Sequence, residues 1–86
     1  MKVTLEISMY PLRSDYEEQV LKFIDYLKDN TDFQIEVNAM STQVTGDMEL
    51  VFKQVQKSIE RVYENGVKAS FVMKVLHGAL DLDFKS

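Results

Sequence analysis

Residues 3–9 alternate without a break. Val3, Leu5, Ile7 and Met9 fall on one side, and Thr4, Glu6, Ser8 and Tyr10 on the other. A period of two with one apolar side describes a half-buried strand. Such a strand cannot stand alone, because its backbone groups and its apolar face both need partners. Pro11 closes the segment, since proline cannot donate to a ladder. The rest of the chain must therefore complete a sheet and cover one of its faces.

The following segments read as those partners. Ser14 to Asn30 predicts a helix, with Ser14 as N-cap and Glu17 completing a capping box. Tyr16, Val20, Phe23, Ile24 and Leu27 form its buried stripe. The run 29–32, Asp-Asn-Thr-Asp, is a stop and turn signal. Phe33, Ile35, Val37 and Ala39 then alternate with Gln34, Glu36, Asn38 and Met40, predicting a second strand. Residues 41–46, rich in β-branched side chains, predict a short third strand, joined to the second by a tight or bulged connection at Met40–Ser41. Asp47 is expected to cap a second helix whose inward stripe is Val51, Val55, Ile59 and Val62. Gly66 closes that helix in the left-handed position. Ala69 to Leu76 predicts a fourth strand with apolar residues on both sides, and residues 77–86 a short tail.

The order is β-α-β-β-α-β. Its economical packing is an α+β ferredoxin-like sandwich: a four-stranded antiparallel sheet with two helices on one face. The whole chain, 1–86, reads as a single domain, since 86 residues leave no room for a second core. A domain this small buries roughly 60–65 % of its unfolded surface, and without Cys no disulfide can compensate. Self-association is therefore expected to supply further burial. The uncovered sheet face should carry Thr4, Glu6, Ser8, Tyr10, Glu36, Asn38 and Met40. Sheet-on-sheet contact or edge pairing would bury such a surface.

Charge and motifs narrow the function. The formal net charge of -4 argues against a nucleic-acid surface. The apolar runs are far shorter than the ~20 residues that span a bilayer, no leader pattern is visible, and the lack of Cys fits a cytoplasmic location. No phosphate-cradling glycine loop and no nucleophile or zinc motif occurs, and no cofactor is implied. His77 lacks a second ligand at metal spacing and reads as a strand-end residue. Arg13 after the first strand and Asn38 on a neighbouring one match the acylphosphatase arrangement in outline. However, residues 10–14, Tyr-Pro-Leu-Arg-Ser, lack the glycine-rich phosphate loop of such enzymes. The segment 40–47, Met-Ser-Thr-Gln-Val-Thr-Gly-Asp, holds hydroxyls, an amide and a carboxylate beside a helix start. These are either ordinary strand and cap residues or the edge of a site for a polar heteroaromatic ligand, whose ring nitrogens and amino group each need a partner.

Two stretches carry a resemblance. Ile7-Ser8-Met9-Tyr10-Pro11-Leu12 and the segment from Asn38 to Asp47, spaced around the first helix, resemble the YkoF-like thiamine/hydroxymethylpyrimidine-binding family over about residues 3–76. The resemblance implies a ferredoxin-like fold and binding of thiamine or its hydroxymethylpyrimidine moiety without chemistry. It also implies assembly into dimers or tetramers through sheets. Some relatives carry two such units in one chain, and this chain carries one. It has no Trp and few basic residues, so aromatic stacking would fall to Tyr or Phe, and the pyrophosphate form is not the preferred ligand. The expected binding residues are Ser8, Tyr10, Asn38, Met40, Ser41, Thr42 and Asp47. Hydroxyls and the amide would read the pyrimidine, Tyr10 and Met40 would wall it, and acidic neighbours or a ring face would meet the thiazolium cation. A structural or regulatory oligomerisation module with no such ligand is the alternative for the same fold.

Overall fold

A computed structural model describes residues 1–29, 33–38 and 40–82. The expected turn at Asn30, Thr31 and Asp32, the strand position of Ala39 and the end of the tail lie outside the described residues. The elements are β1 (Lys2–Pro11), α1 (Tyr16–Lys28), β2 (Gln34–Val37), β3 (Thr42–Asp47), α2 (Met48–Glu64) and β4 (Ala69–His77). The sheet order is β2-β3-β1-β4, with every neighbouring pair antiparallel. This is the α+β ferredoxin-like sandwich that the element order predicts.

Register assigns the faces. Leu5 lies opposite Val44 on β3 and Val75 on β4, and Ile7 opposite Thr42 and Met73. Residues directly opposite share a face, so Val3, Leu5, Ile7 and Val44 form the inner row. They pack with Phe23 and Leu27 of α1 and Val51, Val55 and Val62 of α2 in one buried cluster. Phe33 closes the cluster at the β2 end and Val67 at the start of β4.

β1 is central, and its hydrogen-bond parity organises the sheet. Leu12 N donates to Lys68 O at 2.9 Å and Gly78 N to Lys2 O at 2.9 Å. These bonds extend the β1–β4 register, so even-numbered β1 residues bond to β4. Met48 N donates to Met1 O at 2.8 Å, extending the β1–β3 register, so odd-numbered β1 residues bond towards β3. Pro11, an odd position, is tolerated because the β4 ladder does not call on its missing N–H.

Several local expectations are corrected. α1 starts at Tyr16 with Asp15 at the N-cap position and no side-chain cap, so Ser14 and Glu17 form no capping box. The Asp15 carboxylate instead accepts from Arg13 Nε at 2.7 Å and Gln19 Nε2 at 2.9 Å. On α1, Phe23, Ile24 and Leu27 are buried as expected and Val20 is half-buried, but Gln19 is buried too and Tyr16 is exposed. On α2, Ser58 joins Val51, Val55 and Val62 as a fully buried position, its hydroxyl donating to Gln54 O at 2.8 Å, while Ile59 is only partly buried.

The outer face is less bare than expected. Thr4 is buried because residues after β4 fold across it. Its hydroxyl donates to Gly78 O at 2.9 Å and accepts from Leu80 N at 3.0 Å. Gly78 makes the required bend with φ at 108°. Further along this face, Glu6 accepts from Ser41 Oγ at 3.0 Å and lies 3.6 Å from Lys74 Nζ.

Gly46 stands where β3 passes under the start of α2. A Cβ there would lie 2.9 Å from Phe33 Cδ1 and 3.1 Å from Val51 Cγ2. Gly46→Ala is expected to destabilise the fold by about 1–3 kcal/mol through overpacking. Urea denaturation should show a lower midpoint with an unchanged slope.

Candidate functional site

β1 is longer than its neighbour. Its pairing with β3 ends at Ile7 opposite Thr42, whereas its pairing with β4 continues to Pro11 opposite Ala69. Among the described residues, the overhang leaves the β3 side of residues 8–11 without a paired strand. α1 lies over this gap and the β2–β3 turn borders it. The result is a cleft of about 760 Å³, bounded by the end of β1, the first half of α1, and Val37, Asn38, Met40, Ser41 and Thr42. That volume lies within the range of about 300–1,000 Å³ usual for small-molecule sites.

The floor of the cleft follows from the parity of β1. Met9 is an odd position, so its N–H and C=O point towards the β3 side, past the end of that strand. Among the described residues this edge has no ladder partner. A donor and an acceptor thus lie side by side on a rigid strand. Ser8 and Tyr10, whose side chains belong to the outer face by alternation, border the cleft along the free edge of β1. Thr42 approaches from the inner face and is buried. Among the described residues, the hydroxyls of Ser8, Tyr10 and Thr42 are free of intramolecular hydrogen bonds.

Asn38 and Ser41 are differently engaged. Asn38 Oδ1 accepts from Met40 N at 2.9 Å and Ser41 N at 3.1 Å, and Asn38 N donates to Ser41 O at 3.0 Å. The side chain therefore builds the turn between β2 and β3, the work Asn does well through its short amide. Ser41 Oγ accepts from Gln43 Nε2 at 2.7 Å while donating to Glu6. Met40 projects from the turn and is 85 % exposed.

Six of the seven expected residues thus border one cleft: Ser8, Tyr10, Asn38, Met40, Ser41 and Thr42. Asp47 does not join them. It caps α2 by accepting from Leu50 N at 3.4 Å and lies 3.5 Å from the N-terminal ammonium. The α1 contribution escaped the sequence reading: Tyr16, Glu17, Val20 and Leu21 line the opposite wall. Their signal was the apolar exposure of Tyr16 and Leu21, 54 % and 62 %, on a helix already supplied with a buried stripe. Glu17 is the charged residue among those lining the cleft, and Tyr16 OH donates to its carboxylate at 3.5 Å.

Arg13 lies outside the lining, its guanidinium held by Asp15 in two contacts of 2.7 and 3.1 Å. The cation that an acylphosphatase-like site would require is therefore already paired. Among the described residues no group of three or more His, Cys, Asp or Glu side chains could hold a metal ion, and no helix is long and apolar enough to cross a membrane.

Comparison with known proteins gives this cleft a context. The sequence pattern of the thiamine-binding protein family matches residues 5–77, and the chain belongs to that family. No curated protein sequence matches it. Among solved structures, it is similar to a candidate thiamine biosynthesis/salvage protein of Thermotoga maritima, with a TM-score of 0.82 at 18 % identity over 96 % of this chain and 92 % of that one. A hypothetical protein of Methanocaldococcus jannascii gives a TM-score of 0.76 at 26 % identity, covering 98 % and 84 % of the two chains. A domain of unknown function from Bacillus cereus gives 0.75 at 20 % identity, covering 96 % and 85 %.

Two carboxylates outside the cleft lining are held below their ordinary range by their partners. The Gln19 amide, followed by Arg13, holds the Asp15 carboxyl below its ordinary range. The Leu50 N–H, followed by the N-terminal ammonium, does the same for Asp47. A pKa lowered on folding contributes stability above the unfolded value of about 3.9, lost as pH falls through the folded value. The melting temperature should therefore fall on acidification through that window. In Asp15→Asn/Asp47→Asn the fall should be shallower and the neutral-pH melting temperature lower. Differential scanning calorimetry across pH would check both.

Proposed function

We propose that this protein binds thiamine or its hydroxymethylpyrimidine moiety in the β1–α1 cleft, without catalysis, as a cytoplasmic homo-oligomer. The observation that carries the reading is the pairing of an unladdered strand edge at Met9 with unengaged hydroxyls around it. An aminopyrimidine presents a donor beside a ring-nitrogen acceptor. The Met9 C=O and N–H supply the complementary pair without any side-chain ordering. Ser8 and Thr42 are in position to serve the remaining polar atoms of the ring. Tyr10, Tyr16, Leu21 and Met40 offer apolar walls whose burial adds affinity.

The thiazolium end asks for negative charge or a ring face. Glu17 and the neighbouring Tyr16 provide these at the mouth of the cleft, a cation–π contact contributing ~0.5–2 kcal/mol according to its desolvation. Among the described residues, the lining includes no Lys or Arg. A phosphorylated ligand would bring its oxyanions against Glu17 with no cation to receive them. The reading therefore favours the unphosphorylated compounds. Asn38, Ser41 and Met40 act in it as the turn that holds the cleft open, with Met40 as an exposed apolar side chain at its rim. Asp47 is left to its helix.

Isothermal titration tests this directly. Thiamine and hydroxymethylpyrimidine should bind saturably, and thiamine pyrophosphate about ten-fold more weakly or worse. Removing the amino group from the pyrimidine should weaken binding about ten-fold, the size of one lost hydrogen bond of ~1.4 kcal/mol. Thr42→Val should act similarly on both ligands. Glu17→Gln should weaken thiamine by about three-fold, as for a partly exposed ion pair, and leave the pyrimidine unchanged. Absence of heat and of any thermal stabilisation at millimolar ligand would instead assign the fold to an oligomerisation module.

A further inference from the structure

Asn38 builds the turn beside the cleft, and its amide can do so in only one of its two orientations. The oxygen must face the Met40 and Ser41 N–H groups, and the NH2 must face away. The groups that fix this orientation lie along the outer side of the sheet. Asn38 Nδ2 donates to Gln43 Oε1 at 3.3 Å, Gln43 Nε2 to Ser41 Oγ at 2.7 Å, and Ser41 Oγ to Glu6 Oε2 at 3.0 Å. Each side chain donates to the next, and the series ends on a carboxylate.

Register explains why these side chains meet. Glu6 lies opposite Gln43 on β3 and Lys74 on β4, so the three share the outer face. Ser41 precedes Gln43 by two residues and takes the diagonal position from Glu6, within reach of a long side chain. The other oxygen of Glu6, Oε1, lies 3.6 Å from Lys74 Nζ, whose side chain is 81 % exposed. A pair so exposed contributes little. The link to Ser41, which is half-buried, is the stronger attachment of Glu6.

The direction of the series is set at its end. An ionised carboxylate only accepts. The Ser41 hydroxyl has one proton, and committing it to Glu6 leaves its lone pairs for the Gln43 NH2. The Gln43 oxygen then remains to accept from Asn38 Nδ2, and the Asn38 oxygen remains for the two backbone N–H groups. Turning either amide over would set oxygen against oxygen or NH2 against NH2. Without an acceptor at position 6, the Ser41 proton can turn to Gln43, and both amides can then reverse. Glu6 is not itself among the residues lining the cleft, whereas Asn38, Met40 and Ser41 are.

We propose that Glu6 is a positioning residue for the cleft. As the acceptor that ends the series, it fixes the Asn38 amide and so the β2–β3 turn that carries Met40 and Ser41 at the cleft rim. The order of the turn needs no ligand; the consequence for thiamine affinity rests on the ligand reading above. Glu6→Met and Glu6→Gln separate acceptor from charge. Both keep the length and remove the charge, and only Gln retains an acceptor.

NMR relaxation of the full chain reads the turn directly. Amide order parameters at Met40 and Ser41 should stay near the rigid-backbone value of about 0.85 in the wild type and Glu6→Gln. In Glu6→Met they should drop below about 0.6, with Val44 unchanged throughout. Ser41→Ala cuts the series one link later. It should loosen Met40 as Glu6→Met does, and the double variant should be no looser. Thiamine titration should follow the turn. A rim ordered about a fifth of the time weakens binding about five-fold, the loss expected for Glu6→Met, against about two-fold or less for Glu6→Gln. Equal order parameters in the wild type and Glu6→Met would overturn the proposal. So would a Glu6→Gln variant as loose as Glu6→Met, or a loosened turn that leaves measurable thiamine binding unchanged. A wild type that binds no thiamine would end the ligand reading, with the order parameters still deciding the role of Glu6. If Glu6→Met does not fold, as judged by circular dichroism, Ser41→Ala and Glu6→Gln decide against the wild type.

Discussion

β1 hydrogen-bonds in two directions at once, and its two ladders have different lengths. Even-numbered residues satisfy β4 along the whole strand; odd-numbered residues satisfy β3 only as far as Ile7 opposite Thr42. An unpaired backbone group removed from water costs free energy comparable to a lost hydrogen bond. The overhang must therefore stay wet or be met by something else. The cleft is that wet overhang, roofed by α1. The candidate site is thus a by-product of strand-length mismatch, not of any special loop. This explains how it exists without a glycine-rich segment.

The same parity acts one strand further out. Because even-numbered β4 residues face β1, the odd ones face solvent, and they include the strand's midpoint. The two unladdered edges differ in kind. The edge at Met9 is short and recessed beneath a helix, dimensions suited to a small planar ligand. The edge at β4 is nine residues long, with exposed apolar side chains on both of its faces.

Much of the fold was legible because its signals are local. The alternation of 3–9, the Asp47 cap and the Gly66 stop each depend on the backbone within a few residues, and each stands in the structure. What failed was competition between local options. Ser14 and Asp15 both could start α1, and Asp15 won a different role, because Arg13 and Gln19 claim its carboxylate. The β2–β3 connection looked poor in turn residues at Met40–Ser41. In fact Asn38, two residues earlier, accepts both backbone N–H groups. The site was legible in part for the same reason. Hydroxyl-rich strand ends can be seen in sequence, but the wall supplied by Tyr16 and Glu17 requires knowing how α1 is rotated, which Gln19 rather than the apolar pattern reveals. Thr4 was misplaced on the bare face because the covering residues, Gly78 to Leu80, have no periodic signal of their own.

The division of labour among the polar residues has a thermodynamic consequence. Asn38 and Ser41 are committed to intramolecular bonds, so recruiting them to a ligand would first cost a turn or the link to Glu6. Met9, Ser8 and Thr42 carry no such prior engagement among the described residues, and a ligand there exchanges only water. Preorganised donors on a strand give more net affinity than equally strong donors that must be released from other bonds. In the proposed binding mode the selective power of the cleft would therefore be concentrated in backbone atoms at position 9. The side chain of Met9 packs against the core while its main chain borders the cleft.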